Sequence, residues 1–247
     1  MPAVSAAPAA LLAFDTSTEH MSVALCVQDK VWLHDGAGGA RASATLIPTI
    51  LSLLSQAGVG VAQLDAIAFG RGPGAFTGLR TACAAAQGLA LGAGRPVLAL
   101  DTLMSVAEDA RGVDGDQRVW VVMDARMDEI YAAQYLHDGG HWQVIDPPML
   151  TQAEVLNERW RREPPKRVAG SALRAFDGRL DAGAAACSPD ALPRAAALLP
   201  LARAAWARGE VLDAALALPV YLRDKVALTT AEREAVRRAA DVGAGSR

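Results

Sequence analysis

Cysteine and histidine are scarce in this 247-residue chain, which has three of the first and four of the second. Cys26, Cys83 and Cys187 are widely spaced and odd in number. That pattern excludes a disulfide framework, offers no paired spacing for zinc and fits a reducing compartment. Long apolar runs are missing too, and none approaches the roughly 20 residues of a membrane-spanning helix. The opening MPAVSAAPAA has neither the cationic start nor the apolar stretch of a secretory leader. The expectation is a cytoplasmic protein with no membrane association. Basic charge is not in excess: the net charge is −3, which argues against strong autonomous binding to nucleic acid. The basic clusters Arg159-Trp160-Arg161-Arg162 with Lys166-Arg167, and Arg237-Arg238, read as solvated helix ends. What is present is a globular composition, 52% hydrophobic and 21% charged, enough for one large core or two smaller ones.

The most informative stretch is GRGPGAFTGLR, running from Gly70 to Arg80. Residues 64–69 before it read as a buried strand, and 79–91 after it as an alanine-rich helix. Two phosphate-binding loops can be tested against it. A P-loop needs Lys and then Ser or Thr after its last glycine, whereas Gly78 is followed by Leu79-Arg80. The dinucleotide fingerprint is met by Gly70, Gly72 and Ala75, with Asp101 ending the next strand. That fold, however, opens on its fingerprint strand, and here a hairpin and a helix come first. Two readings stay open. Gly72 and Gly74 cradle a phosphate, or the turn is a crowded strand-to-helix connection whose helix is capped by Thr77.

The chain also carries a duplication. Residues 14–25 lie over 123–134 without a gap, each as apolar strand, aspartate (Asp15 or Asp124), short polar turn and returning strand. Each hairpin turns again, near Asp29-Lys30 and Asp138-Gly139. A third strand, a helix, a further strand, a glycine turn and another helix follow both times. The first helix spans 42–57 in one half, and in the other it opens on the capping box Thr151-Gln152-Ala153-Glu154. The last helix of the second half starts at Pro193 and ends at Gly209. This pattern describes an α/β fold of two duplicated mixed-sheet lobes, the actin-like ATPase (ASKHA) architecture, in which two turns face each other across a cleft. The expected organisation is a flexible start over 1–10, a first lobe over 11–110, a second over 117–228 and a charged tail over 229–247.

Asp15-Thr16-Ser17-Thr18, the glycine turn, Asp124-Ala125-Arg126 with Glu129 and Tyr131, Val168-Ala169-Gly170 and Pro219-Val220-Tyr221-Leu222-Arg223 together resemble the TsaB family, also called YeaZ. The resemblance covers about residues 10–228. It implies a non-catalytic scaffold or activating subunit that joins a TsaD-like subunit and a TsaE-like ATPase. Together they transfer threonylcarbamoyl from threonylcarbamoyl-AMP to the adenosine beside the anticodon of tRNAs reading A-starting codons. The resemblance also implies a homodimer when the chain is alone, and tRNA contact only through the complex.

The residues themselves assign no catalytic group and no metal site. TsaD-like relatives carry a His-x-x-x-His pair on the helix after the fourth strand, and the matching segment here, Asp101-Thr102-Leu103-Met104-Ser105-Val106-Ala107, has no histidine. His137 and His141 flank a double glycine, which is a hairpin turn rather than a metal-holding helix. A metal-dependent peptidase is therefore disfavoured.

The cleft is compatible with a nucleotide on one side. Asp15 is placed to orient Mg²⁺ through water, with Thr16 and Ser17 offering donors to phosphate. Gly72, Gly74 and Thr77 belong to the same wall, and Asp124, Arg126 and Gly170 to the opposite one. Actin-like ATPases use glycines where this chain has Ala125 and Arg126. The expectation is a vestigial cleft that requires no cofactor and takes ATP or ADP with Mg²⁺ only weakly or with a partner's help. Arg126 neutralises a phosphate, fills the cleft or pairs with Asp15. The alternative function is an independent actin-like ATPase or small-molecule kinase built on Asp15. For the partner interface, the helix over 42–57 presents Leu46, Ile50, Leu53 and Leu54, widened by Ile47 and Leu51. The small-residue helix that includes Cys83 and Gln87 lies beside it. In the simpler reading, both helices merely cover their sheet.

Overall fold

The computed structural model describes residues 10–112 and 117–223. The expected charged tail and all of the expected flexible start except Ala10 lie outside the described residues. The first half runs β1 (Ala10–Asp15), β2 (His20–Val27), β3 (Lys30–Ala37), α1 (Ala42–Ala57), β4 (Ala66–Gly70), α2 (Phe76–Ala93), β5 (Val97–Leu100) and α3 (Thr102–Asp109). The second runs β6 (Gln117–Asp124), β7 (Ile130–Asp138), β8 (His141–Thr151), α4 (Ala153–Arg162), β9 (Arg167–Ala169), α5 (Ala172–Ala175), β10 (Ala186–Ser188) and α6 (Ala195–Ala207). The two five-stranded sheets have orders β3-β2-β1-β4-β5 and β10-β9-β6-β7-β8, which are the same topology. In each, an antiparallel meander is extended by parallel strands.

Helices and sheets stack in alternating layers. Leu12, Phe14, Val23, Ile67 and Phe69 pack beneath α1 and α2 on the outer face of the first sheet. Trp120, Val122 and Ile130 pack beneath Leu156 and Trp160 of α4 on the outer face of the second. The two inner faces are covered crosswise. Leu198, Leu199, Leu201 and Ala202 of α6 cover Leu11, Ala13, Ala24 and Leu98 of the first sheet. Leu103, Val106 and Ala107 of α3 cover Val121, Met123 and Tyr135 of the second.

This corrects the expected lobe boundaries, because α3 falls in the first interval and α6 in the second, yet each closes the other lobe. Apolar spacing shows that a helix has a buried stripe but not which sheet it meets. After α6 the chain runs along the first lobe as far as Val220, and Leu222 and Arg223 then meet the second. Leu212 bridges to Val97, and the Ala217 carbonyl accepts from Cys83 Sγ (3.3 Å) and Gln87 Nε2 (3.0 Å) of α2. The Val220 amide donates to the Arg71 carbonyl at 2.7 Å.

The gapless overlay of the two halves is off by one residue. Ala13 pairs with Ala24 and Ala68, and its counterpart Val121 pairs with Ala133 and Ala169. Both triplets face the inter-lobe layer. By this equivalence Asp15 corresponds to Met123, and the β6–β7 turn is one residue longer than the β1–β2 turn. Asp15 follows the inward side of its strand and Asp124 the outward side of its own. Strands buried on both faces carry no alternation, so the sequence pattern could not set their register. The capping box is also absent. β8 continues through Thr151, which pairs with Ile130, and Gln152 precedes α4 with no side-chain cap.

Candidate functional site

Asp15 ends β1 with no exposed surface. Its Oδ1 accepts from the Ser17 amide (2.7 Å) and the Ser17 hydroxyl (2.5 Å), and its Oδ2 accepts from Thr102 Oγ1 (3.0 Å). Thr102 Oγ1 in turn accepts from the Gly72 amide at 3.0 Å, and Thr16 Oγ1 donates to the Gly78 carbonyl at 2.7 Å. Burial raises the Asp15 pKa above the ordinary carboxylate value, against the lowering effect of the Ser17 and Thr102 hydrogen bonds. Of the three residues expected to serve Mg²⁺ or phosphate, Asp15 and Thr16 lie outside the cleft lining and Ser17 lies on it. Their hydrogen bonds tie the β1–β2 turn to the glycine turn and to α3. Neighbouring Asp101 caps α3 through the Leu103 amide (2.8 Å) and accepts from the Tyr135 hydroxyl of the second lobe (2.7 Å).

Crowding explains the glycines. A Cβ at Gly70 would stand 1.7 Å from Asp15 Oδ2, and one at Gly78 would stand 1.8 Å from the Thr16 carbonyl oxygen. Gly74 backs onto Ser17, and Gly72 places its amide against Thr102. The turn is packed against the Asp15 turn, as the crowded-connection reading expects. Thr77 is not its cap. α2 begins at Phe76 after Ala75, with no side-chain cap, and Thr77 is exposed one position inside the helix.

A cleft of about 710 Å³ separates the lobes, with Thr18, Glu19 and Phe76 on one wall and Met123, Arg126 and Tyr131 on the other. Asp15 is not among the residues that line it. On the second wall, Asp124 Oδ1 accepts from the Arg126 amide (2.8 Å), and the Asp124 amide donates to Ser171 Oγ (3.1 Å). Gly170 lies behind this turn at φ +118°, where a Cβ would meet the Val122 carbonyl oxygen at 2.3 Å.

Arg126 pairs with Asp124 (3.4 Å) and reaches across the cleft to Glu19 (3.6 Å) rather than to Asp15. Its side chain is 70% exposed, so the pair adds little to stability. Arg126→Ala should move the melting temperature by about 2 °C or less in a thermal scan; a larger drop would mean that the bridge holds the lobes together. The other cleft arginines, Arg174, Arg194 and Arg223, are ion-paired with Asp190, Asp109 and Glu129. Sequence reasoning missed Thr102 and Glu19, each of which joins segments distant in the chain. A threonine straight after a helix-capping aspartate was the one available signal for Thr102.

The partner stripe requires a correction. Leu46, Ile50, Leu53 and Leu54 are 1%, 0%, 5% and 3% exposed and fill the core of the first lobe. The apolar stripe of α1 meets its own sheet, so these four side chains are almost wholly enclosed, and of them Leu46 alone also borders the groove between α1 and α2. Cys83 is buried and Gln87 half-buried, both turned toward Ala217. The solvent-facing apolar positions are Ile47 and Leu51 of α1 and Leu91 of α2. Between the helices runs a groove of about 690 Å³ lined by Ser43, Ile47, Phe76, Thr81, Ala85 and Gly88, among others.

Among the described residues no group of three or more His, Cys, Asp or Glu could hold a metal ion, and no helix is long and apolar enough to cross a membrane. His137 and His141 sit on either side of the β7–β8 turn.

Over residues 38–176 the chain matches the protein family described as TsaD, tRNA N6-adenosine threonylcarbamoyltransferase. It is 35% identical over 221 residues to the tRNA threonylcarbamoyladenosine biosynthesis protein TsaB of Escherichia coli (strain K12), covering 88% of this chain and 96% of that protein. The protein of the same name from Haemophilus influenzae is 34% identical over 225 residues, covering 87% of this chain and 94% of its own length. YeaZ from Pseudomonas aeruginosa, a solved structure, superposes with a TM-score of 0.78 at 39% identity, covering 87% of this chain and 100% of that one.

Proposed function

This chain belongs to the TsaB (YeaZ) family, and from that membership we propose that it is a non-catalytic scaffold or activating subunit in tRNA threonylcarbamoyladenosine biosynthesis. In this reading it works in the cytoplasm with a TsaD-like subunit and a TsaE-like ATPase. The TsaD-like subunit carries the transfer of threonylcarbamoyl from threonylcarbamoyl-AMP to tRNA, and tRNA meets this chain only through the complex. One observation carries the proposal. Similarity extends over nearly the whole length of TsaB, while the carboxylate that an autonomous ATPase would need, Asp15, is buried and hydrogen-bonded through both oxygens.

The free face of α1 and α2 supplies the docking surface, used for a second copy of the chain when the partner is absent. No cofactor is required. An ATP or ADP entering the cleft would meet Thr18 and Arg126 rather than Asp15.

The experiment is threonylcarbamoyl transfer to tRNA from supplied threonylcarbamoyl-AMP, with TsaD-like and TsaE-like proteins, with and without this chain, and with this chain alone. Transfer is expected only in the full mixture. Transfer by this chain alone would make it the enzyme, and a mixture indifferent to its presence would remove the subunit reading. ATP turnover by the isolated chain at high concentration would restore the independent ATPase.

A further inference from the structure

Strand β7 is bounded by two tight turns with positive φ at both central residues. At its far end the centre is Gly139-Gly140, with φ of +56° and +84°, the residue type this conformation favours. At the cleft end the Glu129 amide donates to the Arg126 carbonyl at 3.1 Å, and the centre is Met127-Asp128, with φ of +55° and +62°. Arg126 itself is at φ +62°. Aspartate tolerates this region, whereas arginine and methionine carry a steric penalty there that glycine avoids.

The strained turn is held from both sides. Arg179 grips Asp128 with two hydrogen bonds. Arg223 donates to the Arg126 carbonyl (3.2 Å) and to Met127 Sδ (3.3 Å) while pairing with Glu129. Asp128 is therefore explained by its ion pair. Met127 is not: it is 65% exposed at the mouth of the cleft, and among the described residues its side chain's one polar contact is a weak acceptor bond. Strain retained where glycine would relieve it, on a side chain that buries little, points to a use outside the chain.

The geometry points to Met127 and Arg126 as a preformed contact for the TsaD-like partner, taking a segment that sets an apolar side chain beside a carboxylate. The flexible thioether adapts to an apolar neighbour. The exposed guanidinium can exchange its long pairing to Glu19 for a closer carboxylate. Phe76 lines both this cleft and the α1–α2 groove, so a protein seated on the groove borders the cleft that Met127 and Arg126 face from the opposite wall.

The inference rests on the subunit reading, and its test uses the full chain. Met127→Gly should raise the melting temperature by about 2–4 °C as strain is relieved. In titration calorimetry it should weaken binding of the TsaD-like partner at least about five-fold. Met127→Asn, which tolerates the same backbone, should lose affinity too. A raised melting temperature with unchanged affinity overturns the contact. An unchanged or lowered melting temperature overturns the strain on which it stands. If the unaltered chain neither binds nor stimulates the partner, the subunit reading has failed and this inference falls with it. That failure shows in the parent protein rather than in the variants.

Discussion

Ile50→Glu is expected to leave no folded monomer, whereas Leu51→Glu, one position on, should leave the fold intact and abolish stimulation of the TsaD-like partner. Ile50 is 0% exposed within the core that includes Leu12, Phe14 and Phe69. Truncation of such a side chain already costs about 2–5 kcal/mol, and an unpaired carboxylate in its place adds several more. Domains of this kind have only about 5–15 kcal/mol in hand. Leu51 is 52% exposed on the other side of the same helix, where a charge is tolerated by the monomer but not by an apolar partner. Circular dichroism and size-exclusion chromatography read the first effect, and the transfer assay reads the second. A folded Ile50→Glu protein would contradict the packing, and a fully stimulating Leu51→Glu protein would move the interface elsewhere.

Asp15→Ala should destabilise the protein by about 3–5 kcal/mol, because the Ser17 amide, the Ser17 hydroxyl and the Thr102 hydroxyl lose their buried acceptor. That is a fall of on the order of 10 °C in melting temperature. Asp15→Asn keeps an acceptor for Ser17, and its amide can donate to Thr102, so it should fold well and stimulate transfer normally. The pH dependence has a definite sign. Burial raises the folded-state pKa of Asp15 above its ordinary value of 3.8, so the folded chain holds this proton to higher pH than the unfolded chain does. Ionised Asp15 therefore costs stability at neutral pH, and that cost fades as the pH falls through the folded-state pKa toward 3.8. Asp15→Asn should remove this component from a stability-against-pH curve. A stable Asp15→Asn protein that no longer stimulates transfer would show that the carboxylate serves a ligand after all.

The fold was legible because its signals are local and repeated. Gly139-Gly140 marked a hairpin, Ala42 to Ala57 a helix and GRGPGAFTGLR a strand-to-helix turn, and the fold contains each of them. Register was not legible, since Leu11 to Phe14 and Val119 to Met123 are apolar on both faces and one-residue slips leave no trace in such runs. The roles of the site residues escaped for a related reason. Asp15-Thr16-Ser17 has the letters of a phosphate site, but whether they face a cleft or the protein depends on Thr102 and Gly78, which lie far along the chain. The stripe of Leu46, Ile50 and Leu53 was found correctly as an apolar face, and only the sheet beneath it shows that the face is already taken.

The crosswise covering of the two sheets bears on how the protein is made. When the first half leaves the ribosome, its five strands can pair, but Leu11, Ala13 and Leu98 still lack the helix Ala195–Ala207 that covers them. That helix belongs to the last part of the described chain to be translated. The half-finished lobe thus presents a wet apolar face for most of synthesis, which makes this chain a natural client for chaperones that bind nascent polypeptides. For the same reason a stop codon between the repeats would yield a sticky fragment rather than a small domain.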